Sequence, residues 1–278
     1  TSDIYNSATD VMQNFLINNL QLDAFLADRT KLELHATVNH VNPINNQETE
    51  YQVIYRRSAK GLSASLDNQS IQLDGPVLLE QLSISKPWGQ ELWFTGIEKR
   101  GESRVITTSE KRMPLSLYLS LAPDRLTNNQ LPLLLKVLDP VPEEPLGNLY
   151  FEVHETKEEV YIVSHIDRGA WPGGVGEIRF AMSQEKRKRY KSDPEFRTAY
   201  LEAVKDYEVV RRKIDNHERV DPGLERTKKE RMHEFTQIRQ LQLGDTVRVP
   251  TWTPHSLQHG VRVVEFQTPT YERHIISF

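Results

Sequence analysis

The sequence predicts a mainly β protein: a double-sheet jelly roll preceded by a helix and interrupted by a helical insertion. Three observations predict it. Short runs with apolar residues at alternate positions, separated by Gly, Pro, Asn and Asp, fill residues 30–75 and about 80–180, and return at 246–249 and 261–267. That two-residue period belongs to strands with one buried face. Between the strand groups, residues 183–237 carry a helical period and helix-start signals. Two groups of strands around such an insert suit two sheets packed together, which protects their edges.

Ile4, Ala8, Val11, Met12, Phe15 and Leu16, continued by Leu22, Phe25 and Leu26, predict a helix over 4–27. Leu32, Leu34, Ala36 and Val38 then alternate with Glu33, His35, Thr37 and Asn39, which reads as a strand. Asn42-Pro43 through Asn45-Asn46 marks a turn, further strands are expected at 50–57, 62–66 and 70–73, and Asp74-Gly75-Pro76 closes the group. His35 and His40 read here as ordinary strand residues. Leu131 to Leu138 is an apolar run broken by Pro132 and Lys136. A buried lysine is costly without a partner, so Lys136 marks either a strand end or a site. Ser192-Asp193-Pro194-Glu195 starts a helix with a capping side chain, Pro in the first turn and an acid at the positive end of the dipole. Phe196, Tyr200, Val204, Tyr207 and Ile214 form its apolar stripe. Asp221-Pro222-Gly223 breaks it, and a second, more polar helix is expected over 224–237. The run Lys186-Arg187-Lys188-Arg189 reads as a solvated helix face. The expected organisation is an N-terminal helix with a β extension over 1–80, a barrel from 81–182 and 238–278, and the helical insertion at 183–237.

Composition narrows the function. With 278 residues the chain makes one large or two modest domains. The absence of cysteine excludes disulfides, thiolate metal sites and cysteine nucleophiles. A net charge of −4 argues against general nucleic-acid binding. No apolar run approaches the roughly 20 residues that cross a membrane, and no signal peptide is visible, so a cytoplasmic protein is expected.

Two segments carry chemistry. Gly147-Asn148-Leu149-Tyr150-Phe151-Glu152-Val153-His154 is followed by Lys157 and Glu159. Glu152 and His154, two apart in a strand, project to one face, and Glu159 can return on the next strand. Farther on, Gly244-Asp245-Thr246-Val247-Arg248-Val249-Pro250-Thr251-Trp252-Thr253-Pro254-His255 sets a turn, a proline and an inward histidine at fixed spacing. Carboxylate and imidazole suit zinc, iron, manganese or nickel.

These segments resemble the cupins, and more closely the type I mannose-6-phosphate isomerases. Lys86-Pro87-Trp88-Gly89-Gln90-Glu91-Leu92 resembles that family's early Trp-Gly segment, and Leu131-Pro132-Leu133-Leu134-Leu135-Lys136-Val137-Leu138 its lysine-bearing strand. Phe151-Glu152-Val153-His154 stands where the family has Gln-Val-His, and Lys157-Glu158-Glu159-Val160-Tyr161-Ile162 resembles Lys-x-Glu-Met-Trp-Tyr. Val249-Pro250 to His255 resembles Val-Pro-Ala-Gly-Thr-Val-His, and Glu265-Phe266-Gln267 with Arg273 resembles Glu-Ile-Gln and the active-site arginine. The resemblance implies a cupin double-stranded β-helix holding one divalent metal, most simply zinc, on Glu152, His154, Glu159 and His255. It implies Lys136, Lys157 and Arg273 as polar groups around a sugar phosphate, and aldose–ketose isomerisation of mannose 6-phosphate.

There are departures. Glu152 replaces glutamine and adds a charge, which keeps iron, manganese and nickel in play. His154 and Glu159 are separated by a shorter loop. Trp252 replaces a glycine and is expected to fill space beside the substrate. Arg273 follows Glu265 more closely, with Glu272 as the stand-in for the acid that precedes the family's arginine. Residues 1–80 have no counterpart, and the chain stops at Phe278 where the family continues into a second barrel, so the N-terminal strands are expected to supply a partial second sheet. Two other functions therefore stay open: another cupin metalloenzyme such as an oxygenase, and a non-catalytic carbohydrate-binding cupin. His259 is a position that lines many cupin barrels, while His165, His217, His233 and His274 read as surface or strand-end residues.

Overall fold

A computed structural model describes residues 19–67, 69–107, 111–122, 134–268, 270 and 272–278. The described residues divide into two compact units. One lies within 1–85, 91–137 and 265–271, the other within 86–90, 138–264 and 272–278.

In the first unit, helix α1 (Asn19–Ala27) precedes strands β1 (Glu33–Val41), β2 (Glu48–Ser58), β3 (Gly61–Leu66) and β4 (Gln69–Gln72), which form their own antiparallel sheet in that order. The expected helix before residue 19 lies outside the described residues. Arg57 closes α1 by donating to the carbonyls of Phe25, Leu26 and Asp28 at 3.0–3.2 Å, where a cation meets the negative end of the helix. The inward residues Val38, Val53, Tyr55, Leu62, Ala64 and Ile71 pack with Leu22 and Phe25. Short strands β5 (Leu78–Glu80), β8 (Arg104–Ile106) and β9 (Arg112–Pro114) make a small sheet.

Helix α2 (Leu115–Leu121) falls inside a stretch read as strands. Its sequence, LSLYLSL, alternates with a period of two, yet every residue is buried. An element enclosed on all sides shows no polar face, so its pattern does not report its geometry. Its Ser116 hydroxyl shares a 2.8 Å hydrogen bond with His40, which is therefore a core residue of β1.

Two larger sheets complete the fold. One runs β15 (Thr246–Val249), β12 (Glu159–Ile166), β17 (Val261–Gln267), β10 (Leu134–Pro140), β7 (Gly89–Phe94) and β6 (Leu82–Lys86). The other runs β14 (Thr236–Leu241), β13 (Gly176–Met182), β16 (His255–Leu257), β11 (Phe151–Val153) and β18 (His274–Ser277). Within the second unit, Tyr161, Val163, Val247, Val249, Val261 and Val263 of the first sheet share a core with Ile178, Leu241 and Leu257 of the other. This is the double-sheet packing expected of a jelly roll.

The helices between β13 and β14 are α3 (Gln184–Arg187), α4 (Asp193–Asp215) and α5 (Pro222–His233). Ser192 caps α4 by accepting from the Glu195 N–H, with Pro in the first turn. Phe196, Tyr200, Val204 and Tyr207 bury against Phe151, Met232 and Phe235. The basic run is a charged helix face: Lys186 pairs with Glu234, Arg187 with Asp193 and Lys188 with Glu185. No helix among the described residues is long and apolar enough to cross a membrane.

Candidate metal centre

Strand pairing builds the centre. Glu152 on β11 stands opposite His255 on β16, and Glu159 opens β12 in the facing sheet. Two glycines permit the approach. A side chain at Gly147, which leads into β11, would meet the Val141 carbonyl oxygen at 1.9 Å. Gly244, at φ +88°, makes the turn into β15, a backbone region that costs glycine little.

Ligand atoms of Glu152, His154 and His255 lie within 4.8 Å of one another. His154 Nε2 is 3.6 Å from Glu152 Oε1 and 3.3 Å from Glu159 Oε1. His255 Nε2 is 3.1 Å from Glu159 Oε2, and its Nδ1 meets the Thr253 carbonyl at 3.0 Å. That carbonyl orients the ring and leaves Nε2 as the inward nitrogen. His154 is 1% exposed, and among the described residues neither of its ring nitrogens has a partner within hydrogen-bond geometry. Buried imidazole nitrogens are normally satisfied. Two orphaned ones beside a second imidazole and a carboxylate suit a divalent ion.

Each carboxylate has its own cation. Lys157 Nζ is 2.5 Å from Glu159 Oε1, and Arg273 Nε is 3.2 Å from Glu152 Oε2. Tyr161 donates to Glu159 Oε2 at 2.8 Å. Burial drives the Glu159 carboxyl upward, but the Lys157 ammonium and the two imidazoles outweigh it and hold it well below the ordinary range. Burial lowers His255, and its bond to Glu159 reverses this to a net rise. Arg273 also lies over the Tyr150 ring, 5.6 Å from its centroid. The charge that Glu152 adds relative to glutamine is thus balanced locally.

The structure therefore brings Glu152, His154, Glu159, His255, Lys157 and Arg273 into one cluster in the second unit. Lys136 belongs to the first unit. It sits within β10, not at its end, and is 7% exposed. It donates to Gln267 Oε1 at 2.8 Å, lies 3.7 Å from Glu265 and 3.9 Å from Glu91, and faces the Trp93 ring.

Two expectations, for Trp252 and His233, are corrected. The Trp252 ring is 64% exposed and does not fill the interior. Its φ of +61° is the left-handed conformation that favours glycine, which gives a physical reason for glycine in the resembling family. Glu272, the stand-in acid, has its carboxylate engaged by the turn that follows His154. It accepts from the Glu155 N–H at 2.5 Å, from the Thr156 N–H at 2.8 Å and from the Thr156 hydroxyl. Burial raises this carboxyl, and those donors together outweigh it and bring it down to about 2. His233 is half-buried, and burial with Arg179 and Lys229 lowers it to about 2.

His259 stacks on Trp171 with ring centroids 4.7 Å apart and meets Asn148 at 2.9 Å, outside the ligand group. Tyr161 was missed, although its place two residues after Glu159 on one strand puts both on the same face. The Arg273–Glu152 pair had no local signal, because it depends on the pairing of β18 with β11.

No protein-family model matches the chain, and no curated protein matches it by sequence. Solved structures do. The mannose 6-phosphate isomerase from Bacillus subtilis superposes with a TM-score of 0.51 at 16% identity, over 73% of this chain and 62% of that one. A putative mannosephosphate isomerase from Archaeoglobus fulgidus gives 0.48 at 13% identity, over 73% and 65%. A zinc-bound mannose 6-phosphate isomerase gives 0.48 at 12%, over 72% and 69%. The chain thus spans 62% of the length of the Bacillus enzyme. The mainly β fold of this chain is similar to that of the cupin-fold mannose 6-phosphate isomerases.

Proposed function

We propose that the protein is a metal-dependent aldose–ketose isomerase of a sugar phosphate, interconverting mannose 6-phosphate and fructose 6-phosphate in the cytoplasm. The observation that carries the reading is the meeting of Glu152, His154 and His255, from segments that resemble the isomerases, beside the close Lys157–Glu159 pair. Glu152, His154 and His255 would hold the ion, with Glu159 as fourth ligand. A divalent ion there supplies a Lewis acid that polarises the hydroxy-carbonyl oxygens and offsets charge as a carbon-bound proton leaves.

The chain's own groups supply the rest. Isomerisation moves a proton from one carbon to its neighbour and the hydroxyl proton from one oxygen to the other, and leaves the overall composition unchanged. In its free-amine form Lys157, its Nζ 2.5 Å from Glu159 Oε1, can take up the carbon-bound proton and return it to the neighbouring carbon. Both are buried, which excludes water that would compete for it. Arg273 is partly exposed and spends its Nε on Glu152, so its terminal N–H groups can receive a phosphate. Lys136 would be a further polar group for the sugar phosphate, a role that substitution tests. The test is incubation of protein carrying about one equivalent of zinc with either sugar phosphate. Interconversion is expected, and its absence would count against the isomerase.

One observation favours a second reading. The compact ligand group is two histidines and one carboxylate, while Glu159 is engaged by Lys157, Tyr161 and His255. Two histidines and a carboxylate with open positions also suit iron oxygenases. Bound iron with oxygen uptake would favour that reading over the isomerase.

A further inference from the structure

We propose that Glu272 is a positioning residue for the metal centre: its carboxylate straps the turn between His154 and Glu159 and thereby fixes Lys157 against Glu159. The proposal rests on the metal-centre reading above. Residues 155–158 lie outside any strand, so no sheet pairing holds them. The two oxygens of Glu272 hold the first two of them, and Arg248 meets Glu158 at 3.0 Å. Oε1 receives the Glu155 amide, and Oε2 receives both the amide and the hydroxyl of Thr156. Lys157 is the next residue, and its Nζ sits on Glu159.

The strap has a firm anchor. β18 pairs with β11 through Val153 opposite His274 and Glu152 opposite Ile275. Three consecutive side chains then reach the same region. Glu272 takes the turn, Arg273 takes Glu152, and His274 lies 3.3 Å from Glu272 and 3.6 Å from Glu155. Just before the turn, the Trp252 N–H donates to the His154 carbonyl at 2.6 Å. The short turn between two proposed ligands is thus held at His154, Glu155 and Thr156. Donors occupy both Glu272 oxygens, so this carboxylate acts through Lys157 and not as a base.

The test uses the full chain with Glu272→Ala, Glu272→Gln and Glu272→Asp. Zinc affinity is measured by chelator competition, amide exchange is followed over residues 155–158, and kcat and KM are measured on mannose 6-phosphate. Glu272→Ala is expected to weaken zinc about 10- to 100-fold, as loss of an outer support does, and to speed exchange at 155–157 while melting stays cooperative. kcat is expected to fall more than KM changes. Glu272→Gln keeps one acceptor and should lie between, and Glu272→Asp should restore part of the loss. Zinc affinity within about twofold and unchanged exchange in Glu272→Ala would overturn the proposal. So would a general loss of stability with no local change in exchange. If the unsubstituted protein binds zinc but leaves sugar phosphates untouched, the isomerase reading fails, and the strap is decided on affinity and exchange. If it binds no zinc, the metal-centre reading fails and the strap falls with it.

Discussion

Replacing His154 with leucine is expected to stabilise the metal-free protein and to abolish its stabilisation by metal. His154 is 1% exposed, and neither ring nitrogen makes a hydrogen bond among the described residues. A buried polar group left unsatisfied costs about 1–3 kcal/mol. Glu159 Oε1, 3.3 Å from Nε2, recovers part of this. Leucine has about the same volume and no polar atom, and Glu159 keeps Lys157, Tyr161 and His255. The net gain without metal should be about 1 kcal/mol, or roughly 2–4 °C for a domain of this size. With zinc at about 1,000 times its Kd, the unsubstituted protein gains about 4 kcal/mol that the variant lacks. Calorimetric melts in chelator and in excess zinc should therefore rank the two proteins in opposite orders. The reasoning is refuted if His154→Leu melts lower in chelator, or still rises with zinc.

Other outcomes follow from the same geometry. Lys157→Met should weaken zinc at least as far as Glu272→Ala does and, at saturating zinc, lower turnover about 10²- to 10⁴-fold; turnover within about tenfold of the unsubstituted protein at saturating zinc would make Lys157 a structural residue instead. Lys136→Met leaves the buried Glu91 and Glu265 carboxylates without the cation 3.9 and 3.7 Å away. It should cost about 3–5 kcal/mol by denaturant unfolding, and a loss under about 1 kcal/mol would show that this cluster is not electrostatically committed. Burial lowers His40 to about 4, and burial with Arg179 and Lys229 lowers His233 to about 2. Below about pH 6.5 the unfolded chain takes up protons that the folded one refuses, so stability is fully present above that pH and declines beneath it. The contribution is about 1.4 kcal/mol per pH unit for each histidine, down to about pH 4 for His40. The pH dependence of unfolding should flatten between 6.5 and 4 in a His40→Gln/His233→Gln double variant, and equal slopes would disprove the assignment.

Much of the centre was legible because its parts are local. Glu152 and His154 share a strand face by period alone. The Gly244 turn, Pro250 and His255 lie within one short segment, and the Ser192 cap states where α4 begins. What stayed hidden depends on distant pairing or on enclosure. Arg273 reaches Glu152, and Glu272 reaches Thr156, only because β18 lies beside β11. The alternation in Leu115–Leu121 reads as a strand, but a helix buried on every side obeys no surface period. The unusual tryptophan was visible as a substitution. Its outward direction was not, because that follows from a left-handed backbone at Trp252.

That tryptophan gives the centre an optical handle. Of the four tryptophans in the chain, Trp88 and Trp93 are buried and Trp171 stacks on His259. The exposed Trp252 indole should emit farthest to the red and should be the one most open to iodide. Its backbone is bonded to the His154 carbonyl, and His255 lies three residues on. Titrating metal while reading the red edge of the emission would follow occupancy of the site without a dye or a label.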